Sequence, residues 1–134
     1  NRDSAKEFVG THSALWGIAA GVYLAAMGPQ GMKELGEAVL QRQVCLKKVL
    51  SGVKGLSFDR LSGTPFQEVV ADFSASGKKV SEINKKLLEK GILGGYDLGR
   101  NFPELEGCML LAVTEQTSAD DIKALASALG EILA

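Results

Sequence analysis

Cys108-Met109-Leu110-Leu111-Ala112-Val113-Thr114 is a nearly continuous apolar run, and such a run suits a central strand that is covered rather than half-exposed. Thr117-Ser118 and then Asp120-Asp121 follow it. A hydroxyl there caps a helix by accepting a backbone N–H, and the carboxylates sit where the helix dipole favours negative charge. Ile122, Leu125, Leu129 and Leu133 then recur on one helical face. Upstream, Val80, Ile83 and Leu87 mark one face of a shorter helix that ends at Gly91. Phe66 to Phe73, rich in Val and Phe, reads as a second strand, and Gly55-Leu56-Ser57-Phe58-Asp59 alternates as a half-buried strand does. Ser62-Gly63-Thr64-Pro65 is the turn between these two, and Ile92-Leu93 is a candidate for a further short strand.

The chain before this region is helical in pattern. Leu15 to Met27 is apolar almost all round, with small residues (Gly17, Ala20, Gly21, Ala25) among bulky ones (Trp16, Ile18, Val22, Leu24), so it is expected to be a helix buried on more than one side. It is shorter than the roughly 20 apolar residues a membrane span needs. Acidic Asp3 and Glu7 also exclude the basic region that precedes a secretory core. The helix should stop at Gly28-Pro29, with Thr11 or Ser13 capping its start. A second helix is predicted from about Gly31 to Val53, its apolar face carrying Met32, Leu35, Val39, Leu46, Val49 and Val53. The order helix, helix, strand, strand, helix, short strand, strand, helix gives an α+β two-layer sandwich: a small antiparallel sheet with helices on one face.

The chain has 134 residues, 46% of them hydrophobic and 23% charged, which is the composition of a single globular domain or a piece of one. Fifteen Lys+Arg against sixteen Asp+Glu leave a net charge of -1, so the basic footprint of nucleic-acid binding is missing. Cys45 and Cys108 lie far apart, with no C-x-x-C, and read as small buried hydrophobes in a reducing, cytoplasmic setting. The single histidine, His12, cannot assemble a metal site with them. Nothing points to a nucleophile beside His12, and neither a phosphate loop nor a dinucleotide fingerprint is present. No catalytic residue is therefore nominated.

Gly91-Ile92-Leu93-Gly94-Gly95-Tyr96-Asp97-Leu98-Gly99-Arg100 is the segment with chemical potential. Its glycines open backbone N–H groups toward a ligand, and Arg100 offers a planar fork for a carboxylate. The plainer reading is that the glycines supply positive-φ turns, with Tyr96, Phe102 and Leu105 packed underneath.

This segment, with Phe102-Pro103-Glu104-Leu105-Glu106 and the strand ending Val113-Thr114-Glu115, resembles the C-terminal end of glycine dehydrogenase (decarboxylating) subunit 1, the α subunit of the two-chain P-protein of the glycine cleavage system. Thr11-His12-Ser13-Ala14-Leu15, Ala19 to Ala25 and Gly28-Pro29-Gln30-Gly31 are similar too, with a departure at His12-Ser13, where the family more often has Asn-Gln. The resemblance implies the C-terminal small domain of an aminotransferase-type (fold type I) pyridoxal-phosphate enzyme. Residues 1–30 would be a helix leading in from a missing large domain, and residues 31–134 the small domain. It implies an oxidoreductase complex that decarboxylates glycine and passes the aminomethyl group to lipoyl H-protein, with pyridoxal phosphate held by the partner subunit 2 (β). This piece would scaffold that subunit and be inactive alone. By position in the motif, Arg100 would grip the substrate carboxylate, and Thr11, at a helix N-terminus, would reach the cofactor phosphate. A stand-alone α+β ligand-binding or regulatory module is the other reading. An exposed apolar patch on the first helix would separate the two, since it marks a missing interface.

Overall fold

The computed structural model describes residues 12–134. They fall into two compact units that divide between Gly36 and Glu37. The first helical stretch, α1 (His12–Leu50), is interrupted at Gly28, whose φ of 62° and ψ of 179° lie in a region that essentially only glycine adopts. Pro29 follows with no N–H to give and a ring that crowds the preceding turn. The expected stop is thus present, and it separates helical segments 12–27 and 29–50.

The expected burial of the first segment is not observed. Leu15, Trp16, Ile18, Val22 and Leu24 are all exposed, Trp16 to 76%. An apolar composition gives a helix the capacity to be buried, but burial needs neighbours as well. The second segment ends at Leu50 rather than Val53. There the Ser51 N–H and hydroxyl both bond to the Lys47 carbonyl, and the chain tightens into a turn through the Gly52 N–H to the Val49 carbonyl.

The second unit carries a three-stranded antiparallel sheet in the order β1-β3-β2, with β1 at Glu68–Asp72, β2 at Tyr96–Asp97 and β3 at Cys108–Ala112. The run predicted to be the central strand is central. Val70 and Tyr96 both register on Leu110, and Ala71 and Asp97 both register on Met109. Two strand expectations are corrected. Gly55–Asp59 contributes only a single bridge, Ser57 to Asp72, because the chain then turns away past Asp59. The short strand forms at Tyr96–Asp97 instead of Ile92-Leu93, since Ile92 is still tied to the end of the preceding helix through its N–H to the Leu87 carbonyl.

Helices α2 (Val80–Glu89) and α3 (Ala119–Leu133) pack with Leu46 and Leu50, from the end of α1, on one face of the sheet. The core joins Leu46, Leu50, Ala71, Phe73, Ile83, Leu87, Met109, Leu111, Ile122 and Leu129. Helix α2 has only 10 residues and would be marginal in isolation, so the packing of Val80, Ile83 and Leu87 holds it; a fully buried Ile or Leu contributes about 1.5–3 kcal/mol. Of the predicted α3 face, Ile122 and Leu129 are buried and Leu125 and Leu133 are partly buried, with Ala128 and Ile132 completing the contact.

Ser118 is the cap that the sequence left open between Thr117 and Ser118. Its side chain accepts from the Asp121 N–H, and the Asp121 carboxylate accepts from the Ser118 N–H at 2.8 Å, closing a capping box. These bonds hold the Asp121 carboxyl below its usual range, the Ser118 hydroxyl being the larger cause and the Ser118 N–H the next. Ser118→Ala is expected to cost about 1 kcal/mol in urea unfolding. A carboxyl depressed by folding stabilises above its unfolded pKa and loses that contribution as pH falls through its folded one. The stability gap between the wild type and Asp121→Asn, followed by denaturant midpoint, should therefore close on acidification below about pH 4.

Candidate functional site

Residues 91–107 run from the end of α2 to the start of β3. Gly91 has a φ of 74°, the left-handed conformation that ends the helix and that glycine adopts without strain. The next three glycines are not positive-φ turns, contrary to the plain expectation. They are points of close approach. A Cβ at Gly94 would overlap the Asn84 side chain, one at Gly95 would overlap the Leu110 carbonyl, and one at Gly99 would sit 3.1 Å from the Glu106 Cα. Asn84 secures the same place by donating from Nδ2 to the Gly95 carbonyl at 2.8 Å.

Beyond β2 the chain makes one 3-10 turn at Leu98–Arg100 and another at Pro103–Leu105. The N–H groups of Asn101 and Phe102 both bond to the Leu98 carbonyl, and the buried Leu98 side chain anchors the turn. Tyr96 and Phe102 were expected to lie beneath this loop, but both are about half exposed. Leu98 takes the inward position, while Tyr96 directs its hydroxyl to Asn101 Oδ1 at 2.6 Å.

Arg100 emerges from the first turn into a cleft of about 720 Å³, which it lines with Ser74, Lys79, Asp97 and Glu106. The Arg100 side chain is 67% exposed, and its Nε lies 3.8 Å from the Asp97 carboxylate. The cleft therefore offers a guanidinium and two lysines, Lys78 and Lys79, beside two carboxylates, an arrangement that can hold a small anion or zwitterion by charge and hydrogen bonds but contains no nucleophile–base pair. Thr11 and the His12 side chain lie outside the described residues, so the proposed phosphate contact has no geometry.

Cys108 is buried in β3, and burial, with a smaller push from Asp72, raises its thiol above the ordinary range; Cys45 is partly buried, and both are free. No group of three or more His, Cys, Asp or Glu among the described residues can hold a metal ion. Nor do those residues fit a covalently held pyridoxal phosphate, which needs a lysine in an enclosed pocket. The partly buried Lys78 gives its Nζ to the Ile132 carbonyl, and Lys47 lies over the Phe58 ring. The other described lysines are exposed.

No family model matches the chain. The probable glycine dehydrogenase (decarboxylating) subunit 1 of Anoxybacillus flavithermus is 41% identical over 130 residues, 97% of this chain, and that of Pyrococcus furiosus is 41% identical over 132 residues. Over nearly its whole length the chain is similar to a part of glycine dehydrogenase (decarboxylating) subunit 1. It spans 28% of the length of these curated relatives. In structure it is similar to a glycine decarboxylase (P-protein) of the glycine cleavage system, crystallised in inhibitor-bound form. The TM-score is 0.81 at 27% identity, covering 98% of this chain and 29% of that one. That match gives the sheet and its helices the fold of a piece of a fold type I pyridoxal-phosphate enzyme.

Asp97 and Asn84, like Ser74 and Lys79, are residues at this site that the sequence reading did not single out. The signal for Asn84 was a poor helix former in the middle of α2, a position that calls for a side-chain partner. In this chain, Gly95→Ala is expected to lower stability by about 1–3 kcal/mol or more through overpacking against β3, read as a shift in denaturant midpoint. Gly91→Ala should cost less, because an alanine there would be strained only in its backbone conformation and its Cβ would meet open space.

Proposed function

We propose that this chain is the C-terminal region of a glycine dehydrogenase subunit 1. Residues 1–30 are then the helix leading in from a large domain, and residues 31–134 are the small α+β domain. In this reading the piece scaffolds the catalytic subunit 2 and is inactive alone. The assembled cytoplasmic complex decarboxylates glycine and transfers the aminomethyl group to the lipoyl arm of H-protein. Pyridoxal phosphate belongs to the partner subunit, where it supplies the electron sink for decarboxylation, and Arg100 grips the carboxylate of glycine.

The observation that carries the reading is similarity along 97% of the chain to curated subunits of which it spans 28%. The apolar helix 12–27 supports it. An independent module would turn a polar face to water there, whereas exposed Trp16, Ile18 and Val22 are what remains when a covering body is left out. Among the described residues no helix is long and apolar enough to cross a membrane.

Native pull-down of the endogenous protein, with masses read by mass spectrometry, tests the assembly. A bait far heavier than 14.1 kDa that carries a pyridoxal-phosphate subunit is expected. A lone species of 14.1 kDa would instead favour the stand-alone module. For the site, Arg100→Ala in the full two-subunit enzyme should raise the KM for glycine about ten- to a hundredfold, the range for losing hydrogen bonds to a charged group. Assembly should stay intact, and an unchanged KM would remove Arg100 from the substrate site.

A further inference from the structure

We infer that Asp97 is a positioning residue for Arg100, turning its guanidinium so that a ligand carboxylate is met end-on by the two terminal nitrogens. This rests on the reading that Arg100 grips the carboxylate of glycine, and it adds the residue that aims it.

Asp97 is fixed before its side chain begins. It is the second residue of β2, registered on Met109, which is fully buried in the core. Its own side chain is only 20% exposed, whereas that of Arg100 is 67% exposed. The two residues between Asp97 and Arg100 form a short rigid path. Leu98 is buried, its carbonyl takes two N–H bonds, and Gly99 is pressed against the Glu106 backbone. On the other side of the turn, the Tyr96 hydroxyl to Asn101 bond bridges its two ends. The separation of the carboxylate from the arginine backbone is therefore set by the fold and not by side-chain chance.

The atoms involved decide the consequence. Asp97 Oδ2 lies 3.8 Å from Arg100 Nε, an ion-pair distance on the inner edge of the guanidinium. Guanidinium has five N–H donors in a fixed plane, so an ion pair on its Nε side leaves the terminal pair of nitrogens available to a ligand. Among the described residues Arg100 is the charged partner of Asp97, and both line the same cleft of about 720 Å³. Exposed ion pairs of this kind contribute little to stability. What the pair supplies is direction, because a long side chain otherwise samples many rotamers, and a ligand must then bear the cost of selecting one.

The test is a double-mutant cycle in the full two-subunit enzyme, with KM and kcat for glycine measured for the wild type, Asp97→Ala, Arg100→Ala and the double variant. Asp97→Ala is expected to raise KM about three- to tenfold, within the range for directly coupled neighbours, with kcat little changed. It should add nothing further once Arg100 is already Ala. Asp97→Glu, which keeps the charge, should recover part of the loss. Asp97→Asn, nearly the same shape without the charge, should behave as Asp97→Ala and serves as the test if the smaller residue unfolds the turn. If Arg100→Ala raises KM while Asp97→Asn does not, or if the two effects multiply in the double variant, Asp97 does not act through Arg100 and this inference falls alone. If Arg100→Ala leaves KM unchanged, the carboxylate reading itself fails and this inference with it.

Discussion

The backbone of residues 94 and 95 can lie against its neighbours only because neither residue has a side chain. At Gly95 the chain runs directly over the Leu110 carbonyl of β3, and at Gly94 it is pressed to Asn84 of α2. Those two contacts fix where the chain leaves the helix and where it joins the sheet. With β2 only two residues long, little else could hold it. Every residue that follows, through the turn that displays Arg100, inherits its position from this junction.

The second constraint is the alternation of β3. Met109 and Leu111 point into the core among Ile83, Leu87 and Leu129, and Leu110 points the other way, in one row with Val70 and Tyr96. Because Asp97 shares a register row with Met109, its side chain is directed toward the helix-covered side at the sheet's edge. There it meets the cleft beside the start of α2. A one-residue slip of β2 would put Tyr96 there and turn the carboxylate outward. The sheet thus does for Asp97 what the 3-10 turn does for Arg100.

Most of the architecture was legible because its signals were local. The buried faces of α2 and α3 follow from apolar spacing, a cap at Thr117 or Ser118 from hydroxyls three residues before carboxylates, and the break at Gly28 from a glycine followed by proline. What periodicity could not convey was pairing. Gly55–Asp59 alternates like a strand yet supplies one bridge, since alternation says which face is apolar and not whether a neighbour lies alongside. The candidate site was legible as a segment but not as a mechanism. The loop glycines were recognisable, but a glycine required by close approach looks the same in sequence as one required by a positive φ. Arg100 stood out by its motif, and Asp97 did not, because its importance lies in a distance across a folded turn.

The helix at 12–27 also carries the only tryptophan of the chain, Trp16, three-quarters exposed at 76%. Its indole is thus an optical label placed by nature on the surface whose covering is in question. In this chain alone the emission should lie at the long wavelengths of a hydrated indole and be readily quenched by acrylamide. Transfer of that face into an apolar contact would move the light toward the blue and shield it. With Tyr23 the one neighbouring phenol on that segment, the signal would report the helix's surroundings and nothing else in the molecule.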